Sequence, residues 1–158
     1  MENIFLQYLF IFFVSMVPFF ETFLTVPTAI IVFDIPPLAA LTVAIIGNAI
    51  SVILFIFFGT EINKFFNFLF KRFRKGNPAP VEMSPRIKRS LDRYGATGIC
   101  FMSSLLFSSQ MGACAITSLG SSKHQVFIWT SLGVSTLAIV MATLSIMAEG
   151  LVTSLVNL

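Results

Sequence analysis

The sequence predicts an all-α membrane protein built as an inverted repeat, in which each half is a re-entrant helical hairpin plus one spanning helix. Its composition is the first reason: 56% of the 158 residues are hydrophobic and 11% are charged, whereas soluble domains carry about 25% charged residues. Its charge distribution is the second, because nine of the ten Lys and Arg residues fall in the segment 64–93. We treat residues 1–158 as a single membrane domain with half-repeats at about 4–63 and 94–150, separated by this basic loop.

The first half contains an apolar run to about Phe20, a short run to Phe33, a polar corner at residues 34–37 and a long apolar run from Leu38 to Gly59. A helix that crosses a bilayer needs about 20 apolar residues. The long run therefore predicts a spanning helix.

The central loop is expected to be cytoplasmic, because Lys and Arg accumulate on that side of a membrane. Ser84 and Pro85 predict a helix start, and the helix that follows suits the surface of an anionic inner leaflet. The basic residues expected at the membrane surface are Lys71, Arg72, Arg74, Lys75, Arg86, Lys88, Arg89 and Arg93. An ordinary topology signal is the simpler interpretation of the same residues, and nucleic acid is not expected as a partner.

The second half repeats the order of the first. It has an apolar run from Ala96 to Phe107, an interruption at residues 108–112, a short run to about Gly120 and a long run from Val126 to Ala148. One common shift along the chain pairs Gly47 with Gly133. With the central loop inside, both termini face outward. The alternative is that one or both hairpins cross the membrane completely.

The interruptions indicate where a site is expected. Unpaired backbone groups at membrane depth persist only where protein buries them or where they line a wet cavity. Breaks at corresponding positions of two inverted halves are typical of a transporter's binding site. We expect the hairpin breaks at Pro18, Pro27 and Gly112.

Glu21 lies between the first two of these breaks and is the candidate proton site. A charged carboxylate at the centre of a membrane helix costs about 2.5–3.5 kcal/mol on insertion scales, and burial favours its neutral form. A buried acid that titrates near the working pH is a natural proton carrier. The alternative is that Glu21 only caps the N-terminus of a helix.

Polar residues of the second hairpin are the expected partners of Glu21. Gln110 is the first candidate, because its amide both donates and accepts hydrogen bonds. Ser108 and Ser109 lie beside it in the sequence, and Asn48 lies near the middle of the first spanning helix. These residues predict a proton-binding or substrate-binding site, although close packing of helices also favours small residues such as serine.

The block P-x-x-E-x-x-x-x-x-P, formed by Pro18, Glu21 and Pro27, is followed by Gly47-Asn48 in a long helix and by Tyr94-Gly95 after the basic loop. These motifs resemble the small multi-drug export protein family. That family is in turn similar to the DedA group of membrane proteins. The resemblance implies re-entrant hairpins and proton-linked export, membrane homeostasis or the translocation of lipids and lipid-linked carriers.

The second hairpin departs from the DedA pattern. DedA proteins commonly have Arg and Pro there, whereas residues 106–110 read Leu-Phe-Ser-Ser-Gln. The typical arginine after the glutamate is also replaced by Thr22. Both differences argue against a phosphate-type anionic substrate.

These observations predict a small multi-pass exporter of the inner or plasma membrane, coupled to protons through Glu21. A lipid or lipid-carrier translocator is the first alternative, and a non-transporting accessory subunit is the second. No enzymatic activity, cofactor or metal site is expected, since no nucleophile–base pair or metal cluster is recognisable. The expected partners are membrane lipids, a small-molecule or lipid substrate and a second copy of the chain in a homodimer.

Overall fold

A computed structural model describes the backbone of residues 3–73, 85–106 and 108–156, and the side chains of residues 3–58, 95–106 and 108–150. These residues form helices joined by short turns, with no strand among them, so the predicted all-α class is confirmed. The helices are α1 (Ile4–Ser15), α2 (Glu21–Pro27) with a π-helical continuation (Thr28–Val32), α3 (Pro37–Phe73), α4 (Pro85–Leu106), α5 (Ser109–Ser118) and α6 (Lys123–Val156).

Two helical segments are long and apolar enough to cross a membrane. They are Pro37–Phe58 in α3, with a mean hydropathy of 2.5, and Lys123–Gly150 in α6, with a mean hydropathy of 1.9. Large apolar side chains are also exposed on all six helices, which is the surface expected of a chain surrounded by lipid. The chain is therefore a membrane protein.

Helix α3 continues beyond the expected half-repeat boundary at residue 63 and ends at Phe73. Gly59 does not stop it, and residues 60–73 contain neither Gly nor Pro. A helix without a breaker continues as long as its residues favour helix. The first part of the expected loop is therefore helical.

The break in the first half lies at residues 16–20, between α1 and α2, and it contains Pro18 as expected. Phe19 has a positive φ of 74° within this turn. This value lies outside the right-handed helical region, so α1 cannot continue through the turn and a second helix begins at Glu21.

Pro27 was expected to be a second break, and that expectation is wrong. It lies inside a continuous helical segment with φ −59° and ψ −41°. Proline has no N–H to donate to the preceding turn, and the helix widens just after it, where Phe33 N donates to the carbonyl of Thr28. The helix therefore continues through Pro27 without a hydrogen bond from its nitrogen, and the π-helical turn begins at the next residue.

The break in the second half lies between Leu106 and Ser109, earlier than expected. Gly112, which was predicted to form it, lies within α5. A Cβ atom on Gly112 would lie 2.0 Å from Ser103 Oγ, so this glycine allows α5 to approach α4 closely. Helix α4 itself begins at Pro85, as predicted, and bends at Gly95, where φ is +66°.

Each half has a glycine where its first helix crosses its last helix. A Cβ atom on Gly47 would lie 2.6 Å from the carbonyl oxygen of Phe12 in α1. A Cβ atom on Gly133 would lie 2.7 Å from the carbonyl oxygen of Phe101 in α4. Both long helices therefore lie against the backbone of a shorter helix, a distance that only glycine permits.

The short helices α2 and α5 both pack against α3 and α6. One apolar cluster includes Ile11, Val26 and Ala44, and a second includes Val52 and Ile116. Polar residues of α3 lie between these clusters along the helix, so the apolar core is divided in two. The candidate site occupies the space between the two parts.

The glycine crossing can be tested by substitution. We expect Gly47→Ala to lower the free energy of unfolding by about 1–3 kcal/mol, since its Cβ would force α1 away from α3. Gly150→Ala is the matched control, because its Cβ would have no heavy atom within 4 Å and alanine favours helix. Thermal unfolding in detergent checks the pair, and equal stability of the two variants would contradict the close crossing.

Candidate functional site

Glu21 is the first residue of α2, and its side chain is 3% exposed. Its backbone has a positive φ of 36°, a region that costs a residue with a Cβ roughly 1–2 kcal/mol. The turn after α1 therefore holds Glu21 in an unfavourable conformation that directs its carboxyl group into the protein.

The carboxyl group of Glu21 meets the beginning of α5. Its Oε1 atom accepts a hydrogen bond from Ser108 Oγ at 2.8 Å and another from the backbone nitrogen of Ser109 at 2.8 Å. Ser109 N belongs to the first turn of α5, where N–H groups lack helical partners and the helix dipole favours negative charge. The contact joins the pair α1–α2 to the pair α4–α5.

The hydrogen bonds continue from these serines to Gln110 and Asn48. Ser108 Oγ lies 3.1 Å from Gln110 Oε1, and Ser109 Oγ lies 3.2 Å from the same oxygen and 3.3 Å from Asn48 Oδ1. Each hydroxyl has one proton but two acceptors within reach. The cluster can therefore arrange its hydrogen bonds in more than one way without moving a helix.

The far side of the cluster satisfies the broken end of α1. Gln110 Nε2 donates to Ser51 Oγ at 3.4 Å, and Ser51 Oγ donates to the carbonyl of Met16 at 2.7 Å. Asn48 Nδ2 donates to the carbonyl of Ser15 at 3.5 Å. Carbonyl groups at a helix end need such partners when water is absent.

The electrostatic environment of Glu21 contains opposing effects. Burial in an apolar surrounding disfavours the charged carboxylate, whereas the donors at Oε1 favour it. The side chains that hydrogen-bond with the cluster among the described residues are all uncharged. No counter-ion therefore neutralises Glu21 within this part of the chain.

A cavity of about 240 Å³ borders Glu21. The polar residues at its wall are Glu21 and Ser104, and the remaining wall is formed by Phe19, Phe23, Leu105, Leu106 and Leu137. Glu21 thus contacts the polar network through its carboxyl group and also borders a largely apolar cavity.

The family model described as "Putative small multi-drug export protein" matches residues 21–140. The match begins at Glu21 and includes the other residues whose side chains form the polar cluster, namely Asn48, Ser51, Ser108, Ser109 and Gln110. The chain belongs to the small multi-drug export protein family. No curated protein and no solved structure matches the chain. The family's name suggests a membrane exporter, in agreement with the two apolar helices of this member.

All five residues predicted to form the site lie in one connected cluster in this export-family protein. They are Glu21, Asn48, Ser108, Ser109 and Gln110. The side chain of Gln110 connects to Glu21 through the hydroxyl group of Ser108. That this cluster binds a proton or a substrate stays a prediction.

Sequence reasoning missed the carbonyl groups of Ser15 and Met16 as parts of the cluster. The available signal was the end of α1 just before Pro18, because every helix end leaves carbonyl groups without partners. It also missed Ser108 as the N-cap of α5, where its Oγ accepts from Met111 N at 3.5 Å. Serine is a preferred N-cap residue.

The basic membrane-surface patch stays a prediction. Ser84, Arg74 and Lys75 lie outside the described residues. The side chains of the other basic residues lie outside the described side chains, namely Lys71, Arg72, Arg86, Lys88, Arg89 and Arg93.

Two buried threonines of α2 differ in their hydroxyl groups. Thr25 Oγ1 donates to the carbonyl of Glu21, whereas Thr22 Oγ1 is buried without a hydrogen-bond partner among the described residues. A buried polar group left unpaired costs about 1–3 kcal/mol. Thr22 therefore stabilises α2 less than its position would allow.

This difference predicts opposite effects of the same substitution. We expect Thr22→Val to keep or raise the free energy of unfolding by about 1 kcal/mol, because valine has the same shape without the unpaired hydroxyl. Thr25→Val is expected to lower it by about 1 kcal/mol, because a formed hydrogen bond is lost. Thermal unfolding in detergent compares the two variants. A greater loss of stability in Thr22→Val than in Thr25→Val would contradict this description of α2.

Proposed function

We propose that this protein is a proton-coupled exporter in which Glu21 carries the coupled proton. The observation that carries the proposal is the position of Glu21: a buried carboxyl group, without a counter-ion among the described residues, lies where the two helix pairs meet and borders a cavity. In that position, burial favours the protonated carboxyl group and the hydrogen-bond donors favour the carboxylate, and groups balanced in this way are typical of functional sites. The family's name supports export as the direction.

Proton binding would change the contact between the helix pairs. A charged Glu21 accepts from both Ser108 and Ser109 N. A protonated Glu21 has its own proton to donate, so the hydroxyl of Ser108 becomes free to turn to Gln110 Oε1. The hydrogen bonds between α2 and α5 are weaker once the charge is lost. Protonation thereby favours separation of the pairs, which is the motion that opens a site to the other side.

We further propose the DedA-like architecture, in which both helix pairs are re-entrant hairpins and the two halves are inverted. The order helix, break, short helix, corner and long helix occurs twice. Beyond its bend, the apolar part of α4, Gly95–Leu106, is as short as α1. The glycine crossings at Gly47 and Gly133 occupy corresponding positions. Neither α1 nor α2 reaches the roughly 20 residues that a spanning helix needs, which favours a segment that enters the membrane and returns.

The proposed assembly is a homodimer in the inner or plasma membrane, in contact with lipids and with no enzymatic role. Short re-entrant helices need protein around them to satisfy their backbones. Many large apolar side chains of α1 remain exposed in the single chain, including Phe5 and Phe13. A second copy would cover part of this surface.

Lipid translocation is a second candidate, and the cavity wall favours it. Phe19 and Leu106 line the cavity and are each 64% exposed, so the cavity lies beside the apolar outer surface. A lipid could enter from that side with its head group toward Glu21. Such movement down a concentration gradient would not depend on a pH gradient, which distinguishes it from coupled export.

The coupling role predicts the behaviour of Glu21→Gln. We expect this variant to insert and fold with unchanged or slightly higher stability, because glutamine keeps the volume and removes a charge that is costly at depth. Its transport driven by a pH gradient should fall to background, since glutamine cannot exchange a proton. Uptake into proteoliposomes with and without an imposed pH gradient measures this.

Asp34→Asn is the matched control, because Asp34 is an exposed acid at the corner before α3. We expect it to transport like the unmodified protein. Full gradient-driven transport by a well-folded Glu21→Gln variant would rule out coupling through Glu21 and leave it the role of capping α5. Transport by both variants that ignores the gradient would favour the lipid translocator.

A further inference from the structure

The cavity beside Glu21 combines one acid with apolar walls. Its polar wall consists of Glu21 and Ser104, and the rest is aromatic or aliphatic. We propose that this cavity binds a small lipophilic organic cation, which pairs with the Glu21 carboxylate and displaces its proton. The proposal rests on the proposed proton-coupled export and names the class of substrate.

Size limits the ligand. At about 30 Å³ for each water molecule in the liquid, 240 Å³ holds about eight waters. Pockets for drug-sized ligands begin at about 300 Å³. The cavity therefore suits an organic ion of roughly ten non-hydrogen atoms, such as one aromatic ring with an ammonium group.

Charge selects the sign of the ligand. A carboxylate without a counter-ion in a water-poor site attracts a cation strongly, because the effective dielectric constant is low. An anion would be repelled, and a neutral molecule would leave the charge unpaired. Phe19 and Phe23 lie at the same wall, and aromatic rings attract organic cations by about 0.5–2 kcal/mol.

The neighbours of Glu21 leave this charge available. The carboxyl group contacts Ser108, the N-cap of α5, and Ser109, the first residue of α5. Asn48 of α3 hydrogen-bonds with Ser109, and Leu137 of α6 lines the cavity. Helix α4 contributes Ser104 and two leucines. No Lys, Arg or His lines the cavity or hydrogen-bonds with the cluster among the described residues. Within the described part of the chain, an arriving cation therefore meets no competing positive side chain in the cavity.

Binding exchanges one positive charge for another. The carboxylic acid of Glu21 loses its proton to solvent, the O–H bond breaks, and the organic cation takes the place of the proton beside the carboxylate. The net charge of the site is the same before and after. Inward movement of one proton is then linked to outward movement of one cation, as the coupled exporter requires.

The test uses benzyltrimethylammonium, whose charge does not titrate, on the purified full chain in lipid nanodiscs. Calorimetry in buffers of different ionisation enthalpy measures both affinity and proton release. We expect the release of up to one proton for each cation bound. Where Glu21 is protonated, the affinity for the cation should fall about tenfold for each unit by which the pH is lowered. Benzenesulfonate, an anion of similar size, should bind at least tenfold more weakly than the cation.

Two variants connect binding to the cavity. Glu21→Gln should weaken binding of the cation at least tenfold and abolish proton release, whereas Asp34→Asn should change neither. Leu137→Trp, which fills the cavity but keeps the acid, should also weaken binding at least tenfold. This second variant keeps the test decisive if Glu21→Gln is poorly folded.

The outcomes separate this inference from the proposed function. If transport of protons depends on Glu21 but benzyltrimethylammonium binds no better than benzenesulfonate, the proposed class of substrate is wrong and proton coupling stands. Binding that is unchanged in both Glu21→Gln and Leu137→Trp would also overturn the site. If the cation binds with release of a proton but transport ignores the pH gradient, the binding site stands and coupled export is wrong.

Discussion

The fold depends on the hydrogen bond from the backbone nitrogen of Ser109 to Glu21 Oε1, which are 2.8 Å apart. It joins two broken helix ends whose backbone groups would be unpaired in lipid. The chain is broken at residues 16–20 and again before Ser109, and both breaks leave backbone groups without helical partners. The carboxyl group supplies an acceptor for one break, while Asn48 and Ser51 supply donors for the carbonyl groups of the other. Each break is thereby satisfied by residues from a distant part of the chain.

Close packing makes these contacts possible. Gly47, Gly112 and Gly133 allow three pairs of helices to approach at distances that any larger residue would prevent. The helices then hold the polar cluster between two apolar clusters, so its members are shielded from lipid. The same enclosure leaves an apolar cavity beside the acid. Close packing, satisfaction of the backbone and a cavity beside a buried acid therefore follow from one arrangement.

The sequence predicted the helical class and the two long apolar helices, and it identified residues that lie together in one polar cluster. Hydrophobic runs and isolated polar residues at membrane depth have few explanations. The sequence did not predict the breaks as accurately. Pro27 remains helical, with φ −59° and ψ −41° and a π-helical turn directly after it, and Gly112 serves packing instead of a turn. Both outcomes depend on three-dimensional neighbours. The carbonyl groups of Ser15 and Met16 were also missed. The helix end before Pro18 indicated carbonyl groups without partners, but the residue pattern does not show which distant side chains reach them.

Whether Glu21 changes its protonation state inside this enclosure is the most direct question about the function. Infrared difference spectroscopy of the full chain in lipid bilayers, with Glu21→Gln as the reference, measures the carbonyl band of the protonated carboxyl group as pH is changed. If Glu21 carries the coupled proton, a band that is absent from Glu21→Gln grows on acidification and shrinks again when the pH is raised. A Glu21 carboxylate that stays ionised throughout the pH range in which transport changes would contradict proton coupling through Glu21 and leave it the role of capping α5.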